Sequence, residues 1–386
     1  MASKKAGSRD IVAAYKKQGA RIETKARVKL GGKEDFSLWY TPGVGAASSH
    51  LAKHPEDARR MSVKKNSVAV ISDGSAVLGL GNIGPYGALP VMEGKALIFR
   101  EKAGVDAWPI VLDVHEPEEI IAVAKAIAPA FGGINLEDIA APKCFAVERA
   151  LIEALDIPVM HDDQHGTAIV VLAGLLNAAK VVKKPLAKLR VVISGAGAAG
   201  VATAGLLAKA GVRDIVLLDR QGTIYAGRKD ATGKSLAGVK AELAAHTNPR
   251  KVAGGLRDAL TGADALIGVS GPGLATAADI ARMAPGAIVF ALANPIPEIF
   301  PDEAKRGGAV VVATGRSDFP NQINNALVFP GIFRGALDKG VRKITDKTKL
   351  AAAKALAALV AKPSADKIIP DLLDPRVVNA VANSVR

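Results

Sequence analysis

Apolar positions in this chain follow two different periods. Runs of consecutive aliphatic residues bounded by turn residues read as buried strands: 67–72, closed by Asp73-Gly74, then 95–100 and 108–113. Elsewhere the spacing becomes helical. Within 116–130, Ile120, Ile121, Val123, Ala124 and Ile127 share one face, opened by Pro117 and acidic residues in the first turn. Residues 8–20 and 44–61 also read as helices, the second interrupted at His54-Pro55-Glu56-Asp57. Residues 152–159 lead through Pro158 to the acidic pair Asp162-Asp163, and 168–182 form a long apolar helix that Lys183-Lys184-Pro185 breaks.

Beyond that break, strand-like runs at 190–194, 215–219, 265–269, 288–293 and 310–313 alternate with helical segments. Such alternation predicts a parallel, doubly wound sheet. The tail from Lys347 opens with an Ala-rich helix at 351–359.

Two stretches have the form Gly-x-Gly-x-x-Gly, a weak signal alone, and context separates them. Gly195-Ala196-Gly197-Ala198-Ala199-Gly200 follows the strand at 190–194 and opens a helix at 199–210, with a second strand ending at Asp219. There Gly195 permits the tight turn, Gly197 admits a pyrophosphate, and Gly200 lets helix pack on strand. Asp219 is placed to accept the adenosine ribose hydroxyls and favours NAD; the adjacent Arg220 could instead hold the 2′-phosphate of NADP. The other stretch, residues 79–84, precedes Pro85-Tyr86-Gly87, a poor start for a phosphate-binding helix, and reads as a loop lining a substrate cleft. The pattern therefore predicts an α/β chain, with an N-terminal substrate and metal domain over residues 1–160 and a Rossmann-type dinucleotide-binding domain with a helical tail over 161–386.

Composition narrows the setting. With 49% apolar and 23% charged residues the chain is globular. No stretch of 18 uninterrupted apolar residues exists, so no membrane partner is expected. Met1-Ala2-Ser3-Lys4-Lys5 lacks an apolar segment behind it, so no signal peptide is expected. Cys144 is the only cysteine, which fits a cytoplasmic location. The net charge of +14 is concentrated at the start, where residues 1–66 carry 15 Lys/Arg against 6 Asp/Glu. No nucleic-acid module or aromatic stacking pattern accompanies it, so the expectation is a solvated basic face that steers an acidic small molecule.

The candidate chemistry lies in two acidic clusters. Glu137-Asp138 and Asp162-Asp163 can bring hard oxygen ligands to one Mg²⁺ or Mn²⁺; the alternatives are helix capping and turn formation. His161 and His165 flank the second pair, without the further ligands a zinc site needs, and are expected to be structural. A metal that polarises an oxygen, beside a cofactor that accepts hydride, suggests oxidation of a hydroxy acid. Lys95 begins an apolar run that would bury it and lower its pKa, making it a base; a snorkelling lysine is the plain alternative. Tyr40 sits at a turn before a helix and could equally be an amphipathic core tyrosine.

Together these motifs resemble malic enzyme, and in particular its short bacterial-type branch. Tyr-Thr-Pro-Gly-Val at 40–44, Leu-Gly-Leu-Gly-Asn-Ile-Gly at 78–84, Glu-Gly-Lys-Ala at 93–96 and Asn-Leu-Glu-Asp at 135–138 carry the resemblance. So do Asp-Asp-Gln-His-Gly-Thr at 162–167, Ala-Asn-Pro at 293–295 and Asn-Asn-Ala-Leu-Val-Phe-Pro-Gly at 324–331. The resemblance implies oxidative decarboxylation of (S)-malate to pyruvate and CO₂ with NAD or NADP, oxaloacetate decarboxylation, and a homodimer or higher homo-oligomer. It implies Lys95 as general base, Tyr40 as general acid, and Glu137, Asp138 and Asp163 as ligands of Mg²⁺ or Mn²⁺, with Asp162 just behind them. It also implies that Asn294 and Asn324 contact malate or the nicotinamide end of the cofactor. Where larger relatives carry an arginine for the substrate carboxylate, this chain has Ala76. The competing expectations are an amino-acid dehydrogenase-like oxidoreductase, which needs no acidic clusters, a metal enzyme making lactate directly from malate, and a non-enzymatic nucleotide sensor.

Overall fold

The computed structural model describes residues 8–386, with side chains from residue 10 onward. The basic run Met1–Lys5 lies outside the described residues.

Two sheets organise the chain. The first contains β1 (Ser67–Ser72), β2 (Asp106–Val111), β3 (Gly133–Leu136) and β4 (Val159–His161), all parallel in the order β2-β1-β3-β4. Helices cover both faces, so β1, β3 and β4 are buried along their whole lengths, and β1 carries the continuous apolar run Val68–Ile71 rather than an alternating pattern. The second contains β5 (Arg190–Ser194), β6 (Asp214–Asp219), β7 (Gly222–Thr223), β8 (Ala265–Gly268), β9 (Ile288–Ala291) and β10 (Val311–Thr314). Its order, β10-β9-β8-β5-β6-β7, is parallel except for the short edge strand β7. The α/β class and the doubly wound second sheet are therefore as the pattern predicts. Chain order reverses at β5, which has β6 on one side and β8 on the other, and at such a switch point an open parallel sheet leaves a ligand crevice.

The segment 95–100 is not a strand. It lies inside the helix Gly84–Ala103, whose buried residues Ala88, Met92, Lys95, Ala96 and Phe99 keep helical spacing. A four-residue apolar run, Ala96–Phe99, is compatible with either element, and only the longer window decides. Nor does Pro85 hinder a helix start: it occupies the first turn, where its missing N–H has no partner to lose. The helix expected at 168–182 begins earlier, spanning Asp162–Val181, so both aspartates sit in its first turn. The 44–61 helix divides into Gly43–Lys53, a 3₁₀ turn at Pro55–Asp57 and a short helix Ala58–Met61. The tail helix covers Asp346–Ala358, capped by Thr345.

Helix Asp162–Val181 is buried almost all round and joins the two sheets within one continuous apolar core. Helix Phe329–Lys339 returns from the far end of the chain to pack Phe329 and Phe333 against Phe99, with ring centroids 4.7 and 5.6 Å apart. Among the described residues, no helix is long and apolar enough to cross a membrane.

Candidate active site

Parallel pairing delivers the acidic residues to one edge. β1, β3 and β4 end side by side, so Asp73, Glu137-Asp138 and Asp162-Asp163 emerge together at their C-terminal ends. Asp138 takes a left-handed backbone (φ 52°), which aspartate tolerates better than most residues, and its N–H donates to Asp163 Oδ2 at 2.8 Å. Ligand oxygens of Glu137, Asp138 and Asp163 lie within 4.8 Å of one another. Asp138 Oδ2 and Asp162 Oδ1 are buried with no hydrogen-bond partner. Burial, reinforced by Asp163, pushes the Asp138 carboxyl up to about 8, and burial drives Glu137 well above the usual carboxylate range despite Lys95. Three converging carboxylates with an orphaned oxygen fit a hard divalent cation.

Lys95 projects from its helix into this cluster. It is 8% exposed, donates to Asp162 Oδ2, and places Nζ 2.9 Å from Glu137 Oε1. The Phe329 ring lies 4.2 Å from Nζ, closing its apolar side. Burial alone would lower the ammonium pKa, as the sequence suggested, but Asp162, Glu137 and Asp163 more than offset it and hold Lys95 above the ordinary lysine range. The expectation of a depressed pKa is thus corrected: the buried lysine is paired, and the pairing wins. Asp162 itself is pushed up by burial to about 6. Gly166 makes room for it, since a Cβ there would stand 1.9 Å from Asp162 Oδ1.

A cavity of about 760 Å³ opens beside Lys95, lined among others by Val77, Leu78, Ile83, Asn324 and Phe329. The 79–84 loop therefore does border the cleft, and Gly79 brings it close to the second sheet: a Cβ there would lie 2.0 Å from the Asn294 carbonyl oxygen. Asn324 caps a 3₁₀ turn through its Oδ1, which accepts from Ala326 N at 2.9 Å. Exposed Asn294 follows β9. Tyr40 is not gathered in: it is 59% exposed, packs edge-on against Phe36, and does not line the cavity.

At the switch point, Gly195 has φ 119° and donates its N–H to Leu218 O, placing the loop against the end of β6. Gly197 has open space where a Cβ would stand, and a Cβ on Gly200 would lie 1.8 Å from Gly195 O. Helix Ala198–Lys209 then points its free N–H groups over the loop, with Ala196, Ala198 and Ala199 half-buried around it. This fits a pyrophosphate. Asp219, however, is already occupied: Arg228 donates to both carboxylate oxygens (2.9 and 2.6 Å) and Lys240 to Oδ2 at 2.6 Å. These bonds outweigh partial burial and hold its carboxyl below the usual range.

Glu148 and Lys349 support the site and went unread in the sequence. Glu148 accepts from His161 N, Gln164 Nε2 and His165 Nε2, bracing the Asp162-Asp163 turn, while Lys349 Nζ donates to the other ring nitrogen of His165, Nδ1, at 3.0 Å. The signal was available: Cys144, Val147, Glu148 and Leu151 share the buried face of helix Lys143–Ala154, and a glutamate on such a face needs a polar reason. His165 is turned away from the carboxylate cluster to Glu148 and Lys349, whereas His161 is fully buried at its edge, with Nε2 3.7 Å from Asp163 Oδ2 and neither ring nitrogen hydrogen-bonded. Asp73 is buried and paired with Lys143, fixing the turn after β1 to the same helix.

Two family profiles match the chain: "Malic enzyme, N-terminal domain" over residues 19–152 and "Malic enzyme, NAD binding domain" over residues 164–385. The NAD-dependent malic enzyme of Geobacillus stearothermophilus is 53% identical over 369 residues, covering 95% of this chain and 76% of that protein. The bifunctional malic/malolactic enzyme of Bacillus subtilis is 49% identical, covering 96% and 90%. Among solved structures, the NAD-dependent malic enzyme of Thermotoga maritima superposes with a TM-score of 0.93 at 46% identity, covering 97% and 98% of the two chains.

Proposed function

The chain belongs to the malic enzyme family, and from that premise we propose how its residues carry out the reaction. It is an NAD(P)-dependent oxidoreductase that decarboxylates malate oxidatively to pyruvate. The observation that carries the site assignment is the convergence of Lys95 with Glu137, Asp138, Asp162 and Asp163 at the ends of β3 and β4.

Glu137, Asp138 and Asp163 hold Mg²⁺ or Mn²⁺, with Asp162 behind them as the partner of Lys95. A divalent ion bound there supplies the positive charge that favours an ionised C2 hydroxyl and, after CO₂ leaves, an enolate. The dinucleotide, seated on Gly195–Gly200, supplies the hydride acceptor. Lys95 is the base for the C2 hydroxyl proton. Lys95 already donates to Asp162, so the hydrogen-bonded pair offers a relay path: Nζ can pass a proton to Asp162 and receive the substrate's. Phe329 and the apolar cavity wall limit water at Nζ. Asn324 and Asn294 orient malate and the nicotinamide end. Tyr40 is the acid that protonates C3, an assignment supported by its motif at 40–44 rather than by its place in the single chain.

Asp219 and its two cations face the ribose, and Lys240, exposed on one side, leaves NADP as acceptable there as NAD. The division near residue 160 follows the end of the first sheet. Helices Lys33–Trp39 and Gly43–Lys53 bury none of their residues and expose Phe36, Leu38, Trp39, Tyr40 and Val44, which supports a homodimer or higher homo-oligomer. The working location is the cytoplasm, and neither nucleic acid nor membrane is a partner. The name of the Bacillus relative raises one second reading, direct conversion of malate to lactate.

Initial rates with malate and Mn²⁺ against NAD and NADP, with EDTA controls, test the whole scheme. Reduced cofactor and pyruvate should form together only when metal is present. Lactate formed without net reduced cofactor would favour the second reading, and no turnover with either cofactor would overturn both.

A further inference from the structure

Glu298 closes the segment Asn294-Pro295-Ile296-Pro297-Glu298 and is 1% exposed, yet among the described residues no cation pairs with it. Its Oε1 accepts from Ser270 N at 2.9 Å and lies 3.5 Å from Ser270 Oγ; its Oε2 accepts from Ala293 N at 3.0 Å. Ser270 follows β8 and Ala293 follows β9, so one carboxylate fastens the ends of two neighbouring strands. The tie extends to β5 through Ser194 Oγ, 3.1 Å from Ser270 Oγ. The sequence leaves room for it: a Cβ at Gly268 would stand 2.4 Å from Glu298 Cδ. Arg316, which donates to the Pro295 carbonyl, spends its charge on Asp318.

Both oxygens act as acceptors of N–H groups, the arrangement an ionised carboxylate satisfies. Burial works against that ionisation and the backbone donors favour it. An uncompensated anion under two strand ends is costly to keep. The position suggests why it is kept. In a doubly wound sheet, the glycine loop and Asp219 take the adenosine half of a dinucleotide, so the nicotinamide half lies across the switch point, over the ends of β8 and β9. That ring is positively charged when oxidised and neutral when reduced. We propose that Glu298 is a positioning residue that fixes the Ser270 and Ala293-Asn294 loops and, by its charge, makes the site favour oxidised over reduced nicotinamide, easing release of the reduced product. The inference rests on the cofactor site proposed above.

The test is binding, not turnover. Dissociation constants of the oxidised and reduced cofactor are measured on the full-length protein by calorimetry and by fluorescence of the reduced form. Wild type should bind the oxidised form at least as tightly as the reduced one. Glu298→Gln should move the ratio roughly tenfold or more toward the reduced form, the scale of a charge felt across a poorly solvated site. Glu298→Asp should weaken both while keeping their ratio. Equal weakening of both by Glu298→Gln would reduce Glu298 to a structural tie and overturn the proposal. So would wild type binding the reduced form more than tenfold tighter, a result available even if the variant does not fold. Absence of binding by either form to wild type would instead overturn the cofactor site itself.

Discussion

Replacing Asp138 by asparagine should stabilise the metal-free protein while removing its response to Mn²⁺. The two effects have one cause. Ligand oxygens of Glu137, Asp138 and Asp163 lie within 4.8 Å of each other, and at an effective dielectric of about 20 two charges at that distance repel by roughly 3 kcal/mol. Linkage gives a similar figure: with the Asp138 carboxyl pushed from 3.8 up to about 8, keeping it protonated at pH 7 costs roughly 4 kcal/mol. Since Oδ2 has no hydrogen-bond partner, an amide there loses no bond, and a net gain of about 1–3 kcal/mol is expected. At about 2.1 cal/mol/K per residue over 386 residues, that corresponds to a rise in Tm of about 1–4 °C. Mn²⁺ at a hundred times its Kd should stabilise wild type by about 2.7 kcal/mol, a comparable rise, and the variant hardly at all. The sign of the pH dependence follows as well. A native state whose carboxyl is raised holds a proton that the unfolded chain has released between pH 3.8 and about 8. In EDTA, wild type should therefore lose stability as pH rises across that window, by up to about 1.4 kcal/mol per unit for this proton, and the variant's slope should be shallower. Thermal unfolding with EDTA or Mn²⁺ from pH 5 to 8 measures all of this. A variant less stable than wild type in EDTA, with an intact Mn²⁺ increment, would show that Asp138 is a structural acceptor and no ligand.

Three further substitutions separate the roles assigned to the remaining residues. Lys95→Ala should cut malate oxidation by roughly 10²–10⁴-fold while leaving cofactor affinity unchanged; near-normal rates would return Lys95 to a structural ion pair. Tyr40→Phe should retain hydride transfer in a single turnover yet slow ketonisation of supplied enolpyruvate, and ketonisation at the wild-type rate would remove the acid assignment. Lys240→Ala should weaken NADP more than NAD, by roughly 1–2 kcal/mol as judged from the ratio of their dissociation constants, because Asp219 would lose its exposed counter-ion and face a 2′-phosphate. An unchanged ratio would show that Lys240 only braces Asp219.

What could be read in the sequence was what rests on local chemistry. The 67–72 run, the glycine turn at 195–200 and the helical face at 116–130 each require a particular backbone from nearby residues alone, and each is where the pattern placed it. The acidic pairs could be singled out for the same reason, as carboxylates beside apolar runs. Their meeting could not, because it depends on β3 and β4 lying parallel and in register, a pairing across 25 residues that no local window contains.

Lys95 shows how the same limit distorts a chemical expectation as well as a structural one. Taken with its neighbours only, it is a lysine in an apolar run, and desolvation then predicts a lowered pKa. The run is in fact part of a 20-residue helix that turns Lys95 toward the ends of two strands more than 40 residues away in sequence, where Glu137 and Asp162 wait. Desolvation still acts, but the same burial that removes water strengthens attraction to those carboxylates, and the second effect is larger. The lysine's proton affinity is thus set by the charge on the carboxylates around it. A cation held by Glu137, Asp138 and Asp163 would reduce that charge and so free Lys95 to act as a base. In this arrangement the proposed metal site and the base proposed at Lys95 would act as one electrostatic unit, and substitutions at Asp138 and Lys95 should be strongly non-additive in turnover.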